Sequence, residues 1–564
     1  MQNPEQTRRN FLANTTIIAA LGALTSGCAR SDITPSTVTE NAIKHAEHLA
    51  GIQFTSPERE QMMRTIQEQQ SILTMRTAQG EISNSVSPAT IFNPRIPGKP
   101  LQLCTSSGSI IGNLPKAGPC PRANEDLAFA PVWKLCQWMK KREITSEQLT
   151  LLALDRLKQF DKTLHCVISY TKSTALKQAR QADRELDAGN WRGPLHGIPW
   201  GAKDIIDTEG DRTTWGAAPY KDRVSSKNAH VTDKLKDAGA VLVAKLAVGA
   251  LAYGDVWFGG TCKNPFDTTE GSSGSSAGPA SATAAGLVPF TIGSETYGSI
   301  VSPCMRCGAT GLRPTFGRVA RSGVMALCWS LDKIGPICRS VLDTAIILDA
   351  MNGAFPDDPA SVDEPFYFNP TQSAKGIRLG FDPALFEGPT KHHDLAALQA
   401  AKEAGATLVE TTVPKMDNSV LLIPLFVEAA AAFEELTRSN KDDLLVWQDD
   451  DAWPNTFRQS WLIPAIEHMQ ASRLRRVLME KMHVWMNGDF DAFLTPSFSD
   501  LLLTTNGTGH PALVLRTGME GTKPHGTTLI GRLFDEGTLC RLGMAIESKL
   551  NVSNIRPTVN TQGA

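Results

Sequence analysis

Apolar positions recur along this chain with two periods, and the alternation between them predicts its architecture. Residues 29–75 read as a short helical region of two helices. The second starts at Thr55-Ser56-Pro57-Glu58, a hydroxyl cap followed by a glutamate placed to close a capping box. Pro, Ser and Gly then crowd residues 76–125, which predicts a linker or surface wrap with little regular structure. From residue 126 to 564 the pattern is that of one catalytic domain. Thr145-x-x-Gln148 caps a helix that keeps Leu149, Leu152, Ala153 and Leu157 on one face. His230–Lys245 reads as a helix leading into a strand, and Leu287–Ile292 as an apolar strand-like run. A helix over Asp343–Met351, a strand over Gly376–Asp382, a helix over Ala396–Ala404 and a strand over Ala406–Val409 follow. Strands alternating with helices argue for an α/β fold.

Composition narrows the partners. The chain has 564 residues, 41% hydrophobic and 20% charged, so it is globular and long enough for a large α/β enzyme. A net charge of −2 leaves no basic excess for nucleic acid. Residues 1–28 read as an export segment: Thr7-Arg8-Arg9-Asn10-Phe11-Leu12 is a twin-arginine motif, followed by the weakly apolar run Thr15–Leu24, too short to span a bilayer. The expected location is periplasmic or secreted. Leu24-Thr25-Ser26-Gly27-Cys28 partly matches a lipoprotein box, so Cys28 is a candidate lipid anchor and simple cleavage nearby the alternative. The eleven cysteines show no disulfide framework in their spacing. Oligomeric state is left open.

The chemistry concentrates in two segments. One is His196–Gly210, HGIPWGAKDIIDTEG, with Lys203 among Ile198, Pro199, Trp200, Ala202, Ile205 and Ile206. The other is Gly271–Ser299, GSSGSSAGPASATAAGLVPFTIGSETYGS, two serine-glycine loops around a small-residue run. A serine hydroxyl needs a neighbour to take its proton, and a lysine in apolar surroundings loses stability in its charged form and serves as that base. Glycines near a nucleophile let backbone N–H groups turn toward a developing oxyanion. Taken singly, each element has a plainer alternative: Lys203 and Asp204 as a surface ion pair, the serine-glycine stretches as flexible loops.

Together, these segments resemble the amidase signature family of serine hydrolases. Asn264-Pro265-Phe266-Asp267 stands where the family has N-P-W-D, and HVTDKLKDAGAVLVAK, GATGLRPTFGRV (Gly308–Val319), Asn506–Ala512 and Leu529–Arg532 match further segments. The resemblance implies a mixed central sheet covered by helices on both faces. It also implies a Lys–Ser–Ser triad: Ser299 as nucleophile, Ser275 as proton shuttle, Lys203 as base, with the backbone of Thr296, Tyr297 and Gly298 as oxyanion hole. No cofactor and no metal are implied. Three departures stand out. Tyr297 replaces a glycine and Val301 an arginine in the nucleophile loop, and Glu295 replaces an aspartate, so the ion pair that braces that loop is expected to be absent. Ala277 also stands where a glycine is common in the first loop.

Other motifs compete. Gly274-Ser275-Ser276-Ala277-Gly278 satisfies G-x-S-x-G, with Ser276 as nucleophile and His510 or His525 as partner, but the polar residues before it lack the strand such an elbow needs. Ser169-x-x-Lys172 has no companion motifs, Cys304-x-x-Cys307 reads as two small buried thiols, and His392-His393 as a solvated loop or helix end. The aromatic-containing stretch from Pro414 to Asn487 is expected partly to line an acyl pocket and partly to pack over it. The leading function is hydrolysis of a small-molecule or peptide amide through a seryl acyl-enzyme. The alternatives are an esterase of the same fold or the A-type subunit of an amidotransferase. A non-catalytic binding protein would require loss of Lys203, Ser275 or Ser299.

Overall fold

A computed structural model describes residues 38–103, 110–552 and 554–559. The export segment and Cys28 lie outside the described residues. The described residues divide into two compact units, one up to residue 80 and one from residue 81 onward.

The first unit contributes the helices Glu40–Ala50 and Ser56–Ala78. Gly51, in the left-handed region, ends the first, and the Glu58 carboxylate accepts the Thr55 N–H at 2.7 Å at the start of the second. Arg59 grips Glu47 with two nitrogens, at 2.7 and 2.8 Å, and joins one helix to the other.

The second unit is organised by an 11-stranded sheet. Its strands, in chain order, are β1 Val167–Tyr170, β2 Pro199–Lys203, β3 Val241–Leu246, β4 Phe290–Glu295, β5 Thr310–Arg313, β6 Lys333–Cys338, β7 Arg378–Phe381, β8 Thr407–Glu410, β9 Ala492–Pro496, β10 Ala512–Glu520 and β11 Lys523–Gly531. They lie in the order β1-β3-β2-β4-β6-β5-β10-β11-β9-β7-β8. The pairs β3–β2, β2–β4, β9–β7 and β7–β8 are parallel and the rest antiparallel. The sheet is therefore mixed. β2, β3 and β4 are buried along their whole length, as strands covered on both faces must be. The two faces show in β10: Ala512 and Val514 pack with Val301 and Cys304, whereas Leu513 and Leu515 pack with Leu539 and Leu542 of the helix Glu536–Leu550.

Most predicted elements recur, with shifted edges. Thr145 caps the helix Ser146–Leu164 with a full capping box. The apolar run Leu287–Ile292 does not coincide with its strand, which is Phe290–Glu295. Gly286, at φ +66°, ends the turn after the helix Ala277–Ala284, and Leu287 and Val288 fill the core behind it. Ser294 and Glu295 enter the strand despite their polarity because each finds buried partners. The helix predicted from Ala396 begins at Lys391, since its first turn is polar and shows no apolar period.

Candidate active site

The C-terminal ends of the neighbouring strands β2 and β4 meet two glycine loops. Lys203 is the last residue of β2 and is wholly buried. Its Nζ lies 2.8 Å from Ser275 Oγ, 2.9 Å from Ser294 Oγ, 3.1 Å from Ser276 Oγ and 3.3 Å from the Ser294 carbonyl. Burial pulls its ammonium down to about 7, against the opposing charges of Asp332 and Glu295. A neutral amine has two N–H groups and one lone pair. The Ser276 and Ser294 oxygens can take the two N–H groups, which leaves the lone pair for the proton of Ser275.

Asp204 is not the partner of Lys203. It sits fully buried with Lys245 at 3.3 Å and accepts the Thr214 N–H at 2.7 Å, so the surface-pair reading fails. Ser276, which follows the cis Gly274–Ser275 peptide, donates to the Ser294 carbonyl at 3.0 Å and accepts the Ser294 N–H at 3.1 Å. It has no exposure and precedes the helix Ala277–Ala284. The short strand Asp267–Gly271 does precede this loop, contrary to the strand-free reading, but it pairs only with Lys263–Asn264, outside the main sheet. His510 is buried against Thr508, with burial and then Arg313 pushing its imidazole down to about 3, and His525 lies against Asp394. Among the described residues neither makes a hydrogen bond to Ser275, Ser276 or Ser299.

Ser299 stands at the entrance of the helix Val301–Cys307 and is 8% exposed, against 1% for Ser275 and none for Ser276. Its carbonyl accepts the Ser276 N–H at 3.1 Å, which ties the two serine loops together. Among the described residues its hydroxyl makes no hydrogen bond, and the N–H groups of Thr296, Tyr297 and Gly298 find no protein acceptor. Gly298 holds φ +84° and Tyr297 is exposed. The first loop is set just as tightly: a Cβ on Gly274 would lie 1.8 Å from the Gly254 carbonyl oxygen.

Val301 leaves no cation in the loop itself, as expected, but a different ion pair braces it. Glu295, wholly buried, meets Arg313 of β5 at 2.6 Å and accepts the N–H groups of Ile300 and Val301 at 2.8 and 2.9 Å. Asn506 adds a further donor at 2.8 Å. Burial opposes its ionisation, yet Arg313, Lys333 and these donors outweigh burial and hold the carboxyl down to about 2. Val301 removes a cation from the loop, and a strand on the other side of β6 supplies one instead. Sequence spacing gave no sign of this, because Glu295 and Arg313 meet only through strand order.

A cleft of about 60 Å³ opens beside the group, lined by Ser294 and Thr296 together with Ile205, Met325, Trp329, Asp332 and Lys333. Asp332 accepts the Thr296 hydroxyl at 2.6 Å and the N–H groups of Leu327 and Cys328. Lys333 is fully buried and burial lowers it well below the ordinary lysine range. Asn84, from the Pro/Ser/Gly-rich stretch, closes one wall; its amide donates to the Ala326 carbonyl and accepts the Ala326 N–H, both at 2.8 Å. Reading by motif missed Ser294, Asp332, Lys333 and Asn84. None of the expected aromatics lines this cleft: Phe433, Trp453 and Phe457 stack in the core, Trp453 Nε1 bonds the Leu251 carbonyl, and Trp461 is exposed. Cys304 and Cys307 are buried free thiols, and Ser169 and Lys172 lie apart, on β1 and at the start of the next helix.

The sequence pattern of the Amidase family matches residues 148–505. The A-type subunit of the glutamyl-tRNA(Gln) amidotransferase of Moorella thermoacetica is 31% identical over 484 residues, 77% of this chain and 99% of that protein. The native peptide amidase of Stenotrophomonas maltophilia superposes with a TM-score of 0.68 at 26% identity, over 76% of this chain and 99% of its own. A bacterial aryl acylamidase of the amidase signature family shares the fold at a TM-score of 0.67 and 20% identity, over 76% of this chain and 99% of its own. The chain belongs to the amidase family: it is an amide-bond hydrolase on the amidase signature fold.

Proposed function

We propose that this amidase cleaves a small-molecule or peptide amide through a Lys203–Ser275–Ser299 triad, and that it does so outside the cytoplasm after twin-arginine export. The observation that carries the triad is a lysine 2.8 Å from the Ser275 hydroxyl, whose burial brings its titration down to about 7. As Ser299 Oγ attacks the amide carbonyl carbon, its proton passes to Ser275 Oγ while the Ser275 proton passes to Lys203 Nζ. The carbonyl oxygen takes the negative charge and is met by the unsatisfied N–H groups of Thr296, Tyr297 and Gly298. Collapse breaks the carbon–nitrogen bond, and the leaving amine recovers the proton from Lys203 through Ser275. Water then repeats the sequence on the Ser299 ester and releases the acid. Nothing in the step distinguishes an amide from an ester, so a panel of primary amides, anilides, peptides and esters sets the preference.

The A-type subunit of an amidotransferase is the second reading, favoured by the similarity of the relatives that carry that name. The twin-arginine segment opposes it, because export separates the chain from tRNA. The triad is tested by fluorophosphonate labelling. Ser299→Ala is expected to abolish labelling and turnover with the fold intact, and Ser276→Ala to leave Ser299 labelled. Labelling that survives Ser299→Ala and vanishes in Ser276→Ala would transfer the nucleophile to Ser276.

A further inference from the structure

Away from the cleft, the first turn of the helix Lys391–Glu403 meets the tip of the β10–β11 hairpin. Three donor groups converge there: one atom each of His392, His393 and Glu520, all within 4.8 Å of one another. His392 Nδ1 lies 3.0 Å from the Pro389 carbonyl. A carbonyl only accepts, so in the neutral ring that nitrogen carries the proton and Nε2, 3.8 Å from Glu520 Oε2, has the lone pair. His393 Nε2 is 3.4 Å from the same oxygen, yet it is buried and makes no hydrogen bond.

His393 is seated rather than loose. Its ring lies over Gly518, beside an irregularity in the β10–β11 register, where a Cβ would come within 1.9 Å of Nδ1. His525 stacks against it with ring centroids 5.1 Å apart. His525 is itself held by Asp394, 3.2 Å from its Nε2, and Asp394 also accepts the Thr527 hydroxyl at 2.6 Å.

We infer that His392, His393 and Glu520 form a binding site for a first-row divalent transition-metal ion such as Zn2+. Two imidazoles and one carboxylate suit such an ion, whereas Mg2+ and Ca2+ take oxygen ligands. Bonds of about 2.1 Å in a tetrahedral shell set neighbouring ligand atoms about 3.4 Å apart. The two nitrogen–oxygen separations, 3.4 and 3.8 Å, already approach that spacing. His392 and Glu520 are exposed, so small side-chain shifts bring both onto an ion, while His393 stays fixed as the anchor. Water completes the shell. The bound ion cross-links the helix to the hairpin.

The test uses the full chain and Zn2+ alone. Calorimetry is expected to show one saturable equivalent, and Zn2+ but not Mg2+ to raise the thermal midpoint. Glu520→Gln and His392→Ala, both surface changes, are each expected to weaken binding about tenfold or more. Co2+ loaded in place of Zn2+ is expected to give the visible absorption of a four-coordinate site, lost in both variants. Absence of saturable Zn2+ binding below about 1 mM, or equal affinity in the parent and both variants, overturns the site.

Discussion

The alkaline limb of the reaction offers the sharpest test of Lys203. An ordinary lysine titrates near 10.5, and burial brings this one to about 7. At pH 7 about half of the molecules then carry the free amine, and at pH 6 about one tenth, whereas at the ordinary value the neutral share at pH 7 is about one in three thousand. Fluorophosphonate inactivation reports Ser299 reactivity without a known substrate. Its second-order rate constant is expected to rise about tenfold per pH unit up to a midpoint near 7 and to level off above about pH 8. Lys203→Arg is expected to lose at least three orders of magnitude at pH 7, because a guanidinium stays charged there, and Lys203→Ala a similar amount. A flat profile between pH 5.5 and 8.5, a midpoint near 10, or a near-normal Lys203→Arg enzyme refutes the lysine as base.

Three further outcomes are expected. Lys203→Met should raise the thermal midpoint while abolishing activity: the folded pKa is depressed, so the unfolded chain binds the extra proton between about pH 7 and 10.5, the burial penalty is full below 7, and the gain should fade as pH climbs through that window. Glu295→Gln leaves Arg313 buried without its partner and should cost about 3–5 kcal/mol in urea unfolding, with Glu295→Gln plus Arg313→Met costing less than the single change; a loss under about 1 kcal/mol contradicts the brace. Residues 1–28 fused to a folded reporter are expected to carry it out of the cytoplasm, and Arg8→Lys with Arg9→Lys to block the passage, as read by fractionation; unimpeded export of that double variant removes the twin-arginine reading.

What could be read in the chain was whatever local chemistry writes locally. Thr145 and Thr55 announce helix starts because a cap needs only a hydroxyl and a residue three places on, and the alternation of periods announces an α/β fold, whereas the mixed sheet was implied by the family resemblance. That the Lys203 segment meets the two serine loops was legible, because glycine loops and a lysine in an apolar frame leave a dense signature. The β4 boundary was not, since Ser294 and Glu295 are polar and enter the strand only because Lys203 and Arg313 wait across it. Arg313 itself, Asp332 and Asn84 carry no mark of their own. Each acquires its place from strand order or from a wrapped segment, information that no window of neighbouring residues contains. The aromatics of the stretch from Pro414 to Asn487 misled for the converse reason, as large rings fill a core as readily as they line a pocket.

Asn84 reaches the cleft from a proline-rich stretch far upstream of every residue proposed for bond cleavage, and it holds its position by clasping both backbone polar groups of the single residue Ala326. Selection can therefore redraw that wall by editing a segment with no helix or strand to disrupt, leaving the lysine, both serines and their brace untouched. One wall of the cleft is thus written apart from Lys203 and the serines, and can change at its own pace.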